Sequence, residues 1–273
     1  MRAILATAGA EFRIALRNRW VVIAVALMVV FSLVLAAAGA APTGDVGVDR
    51  LSVIVASLTS LAIYLLPLLA LLIGFDAVAG EVERGTLPLL LAYPVSRLEI
   101  LIGKFAAHLV ILVLAVVLGY GAAGVAAIAT DPRAGAGLPA LVRLGWSSVL
   151  LGATFLGAAY ALSALSRRPS GAAGLAIGLW LLFVVLYDLG LLAMVVADGG
   201  GALTTHVLPV ALLANPADAF RLFNLAASGA VGAASGMGAA AASIALWKSA
   251  LSVAIWPVIT LALAWAAFRR VTP

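Results

Sequence analysis

The stretch FDAVAGEVERGTLPLLLAYPVSRLEILIGKF, Phe75 to Phe105, decides how the rest of the chain is read. It gathers Asp76, Glu81, Glu83, Arg84, Arg97, Glu99 and Lys104, seven of 27 charged residues, between two long apolar runs. Its local signals describe ordered turns. The preceding apolar run continues as a helix through Asp76 to Arg84, and Gly85 ends that helix by adopting a left-handed conformation. Thr86 reads as the N-cap of a new short helix, with Pro88 in its first turn. Leu87, Leu89, Leu90 and Leu91 make this helix apolar, and Pro94 stops it. Ser96-Arg97-Leu98-Glu99 is an S-x-x-E capping box that opens a third helix running into the next apolar stretch. A short apolar helix held between two rigid ones, outside the membrane, is a surface suited to a partner.

The flanking runs place the chain in a membrane. It is 65% hydrophobic and 10% charged, where a soluble domain carries about 25% charged residues. Runs of about 20 apolar residues cross the hydrocarbon core. Six such spans are expected, at about 20–41, 53–75, 105–129, 141–165, 171–197 and 246–268, in a single transmembrane domain over 1–273. The fold class is all-α integral membrane. Residues 198–245 are apolar but broken by glycines, Pro209 and Pro216, and read as a region outside the spans.

Basic residues set the orientation. With the N-terminus inside, Arg2, Arg13, Arg17, Arg19, Arg84, Arg97, Lys104, Arg167, Arg168, Arg269 and Arg270 are cytoplasmic, while Arg50, Arg133, Arg143, Arg221 and Lys248 lie outside. Eleven against five puts both termini in the cytosol by the positive-inside rule. The 75–105 connection then faces the cytosol and 198–245 the periplasm. The net charge of +5 follows from these flanks and implies no nucleic-acid partner. The apolar run Trp20 to Ala41, with 19 residues before it, is too long for a secretory h-region of about 7–15 residues and is read as a retained anchor. Before it, Ile4, Leu5, Ala8, Phe12, Ala15 and Leu16 recur at helical spacing, with Arg2, Arg13 and Arg17 elsewhere on the wheel. Residues 2–19 therefore read as an amphipathic helix in the lipid interface.

The run EVERGTLPLLLAYPVSRLEILIGKF resembles the cytoplasmic signature of type-2 ABC (ABC-2) permeases, and EFRIALRNRW, Glu11 to Trp20, resembles the N-terminal helix of the same group. The resemblance implies six transmembrane helices of the ABC-2, type V exporter-like permease fold. The short helix would be a coupling helix seated on an ATPase, through Glu81, Glu83, Arg84, Gly85, Thr86, Leu87, Leu90, Leu91, Pro94 and Arg97. AGLAIGLWLLFVVLYDLGLLAMVVADGG and LLANPADAFRLFNL, together with PLLALLIGFDAVAGEVERGT, are similar to permease subunits of NosDFY-type ABC transporters, which serve copper-centre maturation of nitrous oxide reductase. This likeness covers nearly the whole chain. It implies a homodimer, a cytoplasmic NosF-like ATPase and a periplasmic β-helical, copper-handling NosD-like protein, in a bacterial inner membrane.

The phosphate loop G-x-x-x-x-G-K-[ST] is missing: Gly103-Lys104 has Leu98 where the first glycine belongs. ATP and magnesium are therefore expected on a partner, with no cofactor in this chain and no enzymatic activity of its own. The chain has no cysteine, and its two histidines, His108 and His206, are far apart, so no metal site is expected. His108 reads as a packed polar residue.

Two further sites stand out. Asn215-Pro216-Ala217-Asp218 opens a helix, with Asn as N-cap and Pro at N1, and Arg221 lies three residues past Asp218. This reads either as a capped helix on the periplasmic surface or as the dock for the periplasmic partner, through Asn215, Pro216, Asp218 and Arg221. Asp188 lies inside the fifth span, where an acid must face the bundle interior or water. It reads as a path-lining residue, as the partner of a polar group across a dimer, or as a residue near the outer interface. Gly174 and Gly178 form a G-x-x-x-G suited to close helix packing, and 228–243 read as a Gly/Ala link. Two other functions fit less well: export of another hydrophobic solute such as a lipid or drug, and ion-coupled transport using Asp188 and Asp76. No internal repeat supports the latter. Ser147 and His206 lack any supporting protease motif.

Overall fold

The computed structural model describes residues 2–38, 50–226 and 244–272, and every regular element among them is helical. The chain opens with α1 (Arg2–Leu16) and α2 (Arg19–Ala38), followed by α3 (Arg50–Gly74). The charged connection holds α4 (Ala79–Glu83) and α5 (Leu87–Ala92). Next come α6 (Arg97–Thr130), α7 (Leu138–Leu165), α8 (Pro169–Trp180) and α9 (Tyr187–Asp198). The last elements are α10 (Leu208–Ala214), α11 (Pro216–Ala226) and α12 (Leu246–Phe268). Six helical runs among the described residues are long and apolar enough to cross a membrane: α2, α3 with α4, α6, α7 with the turn before it, α8 through α9, and α12.

The capping box at Ser96 forms as the sequence reads. Ser96 Oγ accepts from the Glu99 N–H at 3.2 Å, and the Glu99 carboxylate accepts from the Ser96 N–H at 3.0 Å. The box starts α6 well before its apolar part. At 1.5 Å per residue the helix is about 50 Å long, against a hydrocarbon core of about 30 Å. It is therefore longer than the core it would cross.

α7 is the central helix, packed on α3, α6 and α12, while α2 lies along α6 and α1 crosses the start of α6. Tyr160, Phe155, Leu58, Ile63, Leu66 and Ile111 are among the fully buried side chains of this core. The fifth span is peripheral. A π-helical stretch, Leu181–Leu186, joins α8 to α9, and α9 has no buried residue. Gly174 and Gly178 would meet nothing within 4 Å if given a Cβ, so this G-x-x-x-G faces away from its own chain. The packing expected of it is not made among the described residues.

Beyond α9 the chain does not stay outside the bundle. Gly199, left-handed at φ 56°, ends α9, and a second π-helical stretch, Leu203–Val207, leads into α10. The Tyr187 hydroxyl donates to the Ala211 carbonyl at 2.8 Å, and Ser252 Oγ donates to the Leu213 carbonyl at 2.7 Å. At the turn, Asn215 Nδ2 donates to the Phe183 carbonyl at 2.7 Å, level with the middle of the fifth span. α11 then returns among α3, α7 and α12. Ala217, Ala219, Phe220, Leu222, Phe223 and Leu225 are all buried, which leaves α11 no face for solvent. The helix expected on the periplasmic surface is thus the second arm of a re-entrant hairpin. Its non-helical turn is tolerated at that depth because protein surrounds it. The Gly/Ala segment 228–243 lies outside the described residues.

Candidate functional site

α1, the 75–96 connection and the C-terminal residues meet at one end of the bundle, called here the terminal end. The connection is fastened there by backbone and side-chain bonds. The N–H groups of Val78 and Ala79 donate to Ser163 Oγ of α7 at 3.0 and 2.9 Å, which fixes the start of α4. Arg84 pairs with Asp76, eight residues earlier, at 3.3 Å. Gly85, at φ 66°, supplies the left-handed residue that reverses the chain before α5. Thr86 does not cap α5: it has helical backbone angles and no side-chain cap bond. Its hydroxyl is committed to the Glu81 carboxylate instead, which ties the turn back to α4.

α5 divides its leucines between two surroundings. Leu87 is 1% exposed, inside the chain's own core, and so is not available to a partner as the sequence suggested. Leu90 and Leu91 are half-buried against the same core. Leu89 is 66% exposed and Tyr93 67% exposed, with Pro88 and Pro94 exposed beside them. The side chains that face outward are therefore Leu89 and Tyr93, edged by the exposed Glu83 and Arg84.

Beneath this surface lies a charged knot. Lys104, almost fully buried, places Nζ 2.9 Å from a Glu81 carboxylate oxygen and 3.1 Å from one of Glu11. Burial pushes the Glu81 carboxyl up, but the Lys104 ammonium and the Thr86 hydroxyl outweigh it and hold it below the ordinary glutamate range. His108 stands one turn along α6. Its Nε2 is 3.7 Å from Glu11, and its Nδ1 lies 2.8 Å from the buried Tyr160 hydroxyl. Gly103 lets α1 approach closely, because a Cβ there would stand 2.8 Å from Thr7 and 3.0 Å from the Ile4 carbonyl. One ammonium thus joins α1, α4 and α6. A cavity of about 810 Å³ opens beside it, lined by Glu11, Asp76, Glu81, Arg84, Lys104 and His108 among others.

Arg97 is the fourth fastening. Its Nη1 donates to the carbonyls of Phe268, Arg269 and Val271 at 3.3, 3.5 and 2.6 Å. The last carbonyls of a helix have no partner within it, and a cation suits that end of the helix dipole. Arg97, expected among the residues that seat an ATPase, caps α12.

The second set of expected site residues lies in the hairpin. Asn215 is 1% and Asp218 2% exposed, and Arg221 sits between two acids. Its guanidinium bonds both Asp188 oxygens, at 3.1 and 3.2 Å, and approaches Asp218 at 3.5 Å. The Asn215 carbonyl oxygen of the side chain accepts from the Ala217 N–H at 2.9 Å, so it caps α11 as its sequence suggests. Asn215, Pro216, Asp218 and Arg221 therefore hold the hairpin in the bundle and offer no exposed dock. Asp188 resolves as half of an intrachain ion pair. Its two-oxygen contact with Arg221 balances the charge that an intramembrane acid would otherwise leave exposed to lipid.

Glu11, Tyr93 and Asn224 were not singled out by sequence, and Leu89 was read only as one of the apolar residues of the short helix. Asn224 bonds Ser147 at 3.0 Å and the Phe220 carbonyl at 3.0 Å, inside the bundle. Glu11 had a readable signal: it is the only acid before Asp45, and it falls on the stripe of Ile4, Ala8 and Ala15. An acid on an apolar stripe asks for a buried cation.

Comparison with known proteins agrees with this architecture. Residues 5–272 match the model of the family described as ABC-2 family transporter protein. The chain is 47% identical over 238 residues to a probable ABC transporter permease protein NosY of Pseudomonas aeruginosa, covering 86% of each. It is 41% identical over 274 residues to a probable ABC transporter permease protein NosY of Stutzerimonas stutzeri, covering 99% of each. Six apolar helical runs, a fastened connection at the terminal end and likeness over nearly the whole length lead to one assignment: the chain belongs to the ABC-2 family of transporter proteins, as a membrane permease subunit.

Proposed function

We propose that this chain couples ATP hydrolysis by a separate cytoplasmic, NosF-like ATPase to work on periplasmic partners that assemble the copper sites of nitrous oxide reductase. The observation that carries the proposal is the outward face of α5. Leu89 and Tyr93 stand exposed on a helix that Thr86 ties to Glu81 of α4, and α4 is fastened in turn to α7 by Ser163 and to α6 by Lys104. A soluble motor that grips such a helix moves the bundle with it. The excess of basic residues at the terminal end supports a cytosolic position for it, where ATP is available, and the likeness to bacterial permeases supports an inner membrane. Force entering at α5 reaches α4 through Thr86 and Glu81, then α6 and α1 through Lys104.

The chain works as a homodimer in this reading, as expected for one half of a symmetric assembly. The bare fifth span, with Gly174 and Gly178 turned outward, suits close contact with a second copy. The β-helical, copper-handling NosD-like partner meets the opposite end of the bundle. It does so by residues other than Asn215, Pro216, Asp218 and Arg221.

The test is made in cells. A denitrifying bacterium lacking this chain should export nitrous oxide reductase without its copper centres, and the intact gene should restore them, read by copper content and visible absorption. Full copper loading without the chain would overturn the reading.

A further inference from the structure

We propose that the groove between α7, α8 and α12 binds one anionic phospholipid from the leaflet at the terminal end, with its phosphate on Arg270. The groove encloses about 440 Å³, and its walls are made mainly by Phe155, Leu162, Leu179, Phe183, Trp256 and Leu263. The two hydroxyls that reach it are already committed to their own helices. Thr154 donates to the Leu150 carbonyl at 3.0 Å, and Thr260 donates to the Trp256 carbonyl at 3.1 Å. The walls are thus mainly apolar and suit a hydrocarbon chain.

Length and closure identify the occupant. From Trp256 to Arg270 the groove follows α12 and its end for about 20 Å at 1.5 Å per residue. One leaflet of hydrocarbon is about 15 Å deep, half of the core, so the groove covers one leaflet and reaches its headgroups. Pro216, at the tip of the re-entrant hairpin, forms its far end level with Phe183. A helix crossing the whole membrane cannot lie along a groove blocked halfway. An acyl chain that ends at the midplane can.

The headgroup end carries the charge. Arg270 lines the groove and is exposed, with no ion-pair partner among the described residues. Among the described residues no carboxylate lines the groove, so no anion there would hold the ammonium of a zwitterionic lipid. A guanidinium at headgroup level pairs with a phosphate through parallel N–H bonds. A headgroup of net negative charge fits this end best.

The test uses the permease purified together with its ATPase, washed and exposed to dioleoyl phosphatidylglycerol or dioleoyl phosphatidylcholine, with bound lipid counted by native mass spectrometry. The expected result is one phosphatidylglycerol per chain, retained roughly fivefold over phosphatidylcholine, the preference given by one arginine near a membrane surface. Arg270→Gln should abolish the preference, while Arg269→Gln, whose side chain is outside the groove, should leave it. Ala158→Phe, which fills the groove, should lower retention of both lipids. Should that variant fail to fold, the two arginine variants still decide. Equal retention of the two lipids, or equal effects of Arg269→Gln and Arg270→Gln, would overturn the proposal. So would efficient Leu263→Cys disulfide formation between chains in native membranes, which would assign the groove to a second copy.

Discussion

The Arg97 guanidinium lies 2.6 Å from the Val271 carbonyl oxygen, so the first turn of α6 holds the end of α12. Two segments 174 residues apart in sequence close the terminal end of the bundle. The same guanidinium also reaches the carbonyls of Phe268 and Arg269. The start of α6 is therefore held by the end of α12, while Ser163 of α7 and Lys104 of α6 hold the connection beside it.

Removing this brace should loosen α12. A hydrogen bond to a charged group contributes about 1.5–3 kcal/mol, and partial exposure of Arg97 places the loss from Arg97→Ala at the lower end. Thermal unfolding in detergent should show Arg97→Ala several degrees below the parent, with Arg97→Lys between them, because an ammonium can still reach one carbonyl. An unchanged midpoint for Arg97→Ala would show that the three contacts add nothing to stability.

The knot around Lys104 makes a sharper demand. Breaking a buried ion pair by removing one partner costs about 3–5 kcal/mol, because the remaining charge stays buried. Lys104→Met leaves two carboxylates, Glu11 and Glu81, facing each other without a cation. It should be more destabilising than Glu11→Gln, which leaves the Glu81 pair intact. The triple variant Glu11→Gln, Glu81→Gln, Lys104→Met should recover most of the loss. Chemical unfolding of the four proteins measures this order. A triple variant no more stable than Lys104→Met would mean that packing matters there, not charge.

The re-entrant hairpin can be mapped by chemistry, because the chain has no cysteine. A cysteine at Asn215 or Phe220 should stay unlabelled by a membrane-impermeant thiol reagent added from either side. A cysteine at Ala202, exposed in the turn beyond α9, should be labelled from the periplasmic side. Rapid labelling at position 220 would return α11 to the membrane surface.

Much of this fold was legible in the sequence, for reasons of length and period. Each of the six spans is a long apolar run, and hydropathy reads such runs whatever their packing. The capping box at Ser96 and the glycine turn at Gly85 were legible because local geometry decides them. The hairpin was not. α10 and α11 have 7 and 11 residues, too short to register as spans, and their depth is set by bonds such as Asn215 to Phe183, 32 residues away. Thr86 has the sequence of an N-cap, but a neighbouring carboxylate competes for its hydroxyl and wins. Lys104 looked like one more residue flanking a span, and only its meeting with Glu11, 93 residues earlier, shows that it is a buried link. The leucines of α5 were read together, although helical spacing sends Leu87 inward and Leu89 outward.

That division of leucines makes the central claim testable. Leu87→Ala should lower stability by about 2–5 kcal/mol, as truncation of a buried leucine does. Leu89→Asp changes a side chain that is already 66% exposed and should leave the fold and its thermal midpoint intact. The most direct measurement is co-purification: the permease carrying Leu89→Asp is extracted from membranes with its ATPase co-expressed, and the ratio of the two subunits is compared with the parent. Normal membrane insertion, an unchanged thermal midpoint for the permease and loss of most of the ATPase are expected. Retention of stoichiometric ATPase by Leu89→Asp, with full copper loading of the reductase, would contradict the claim that α5 is the element the ATPase grips.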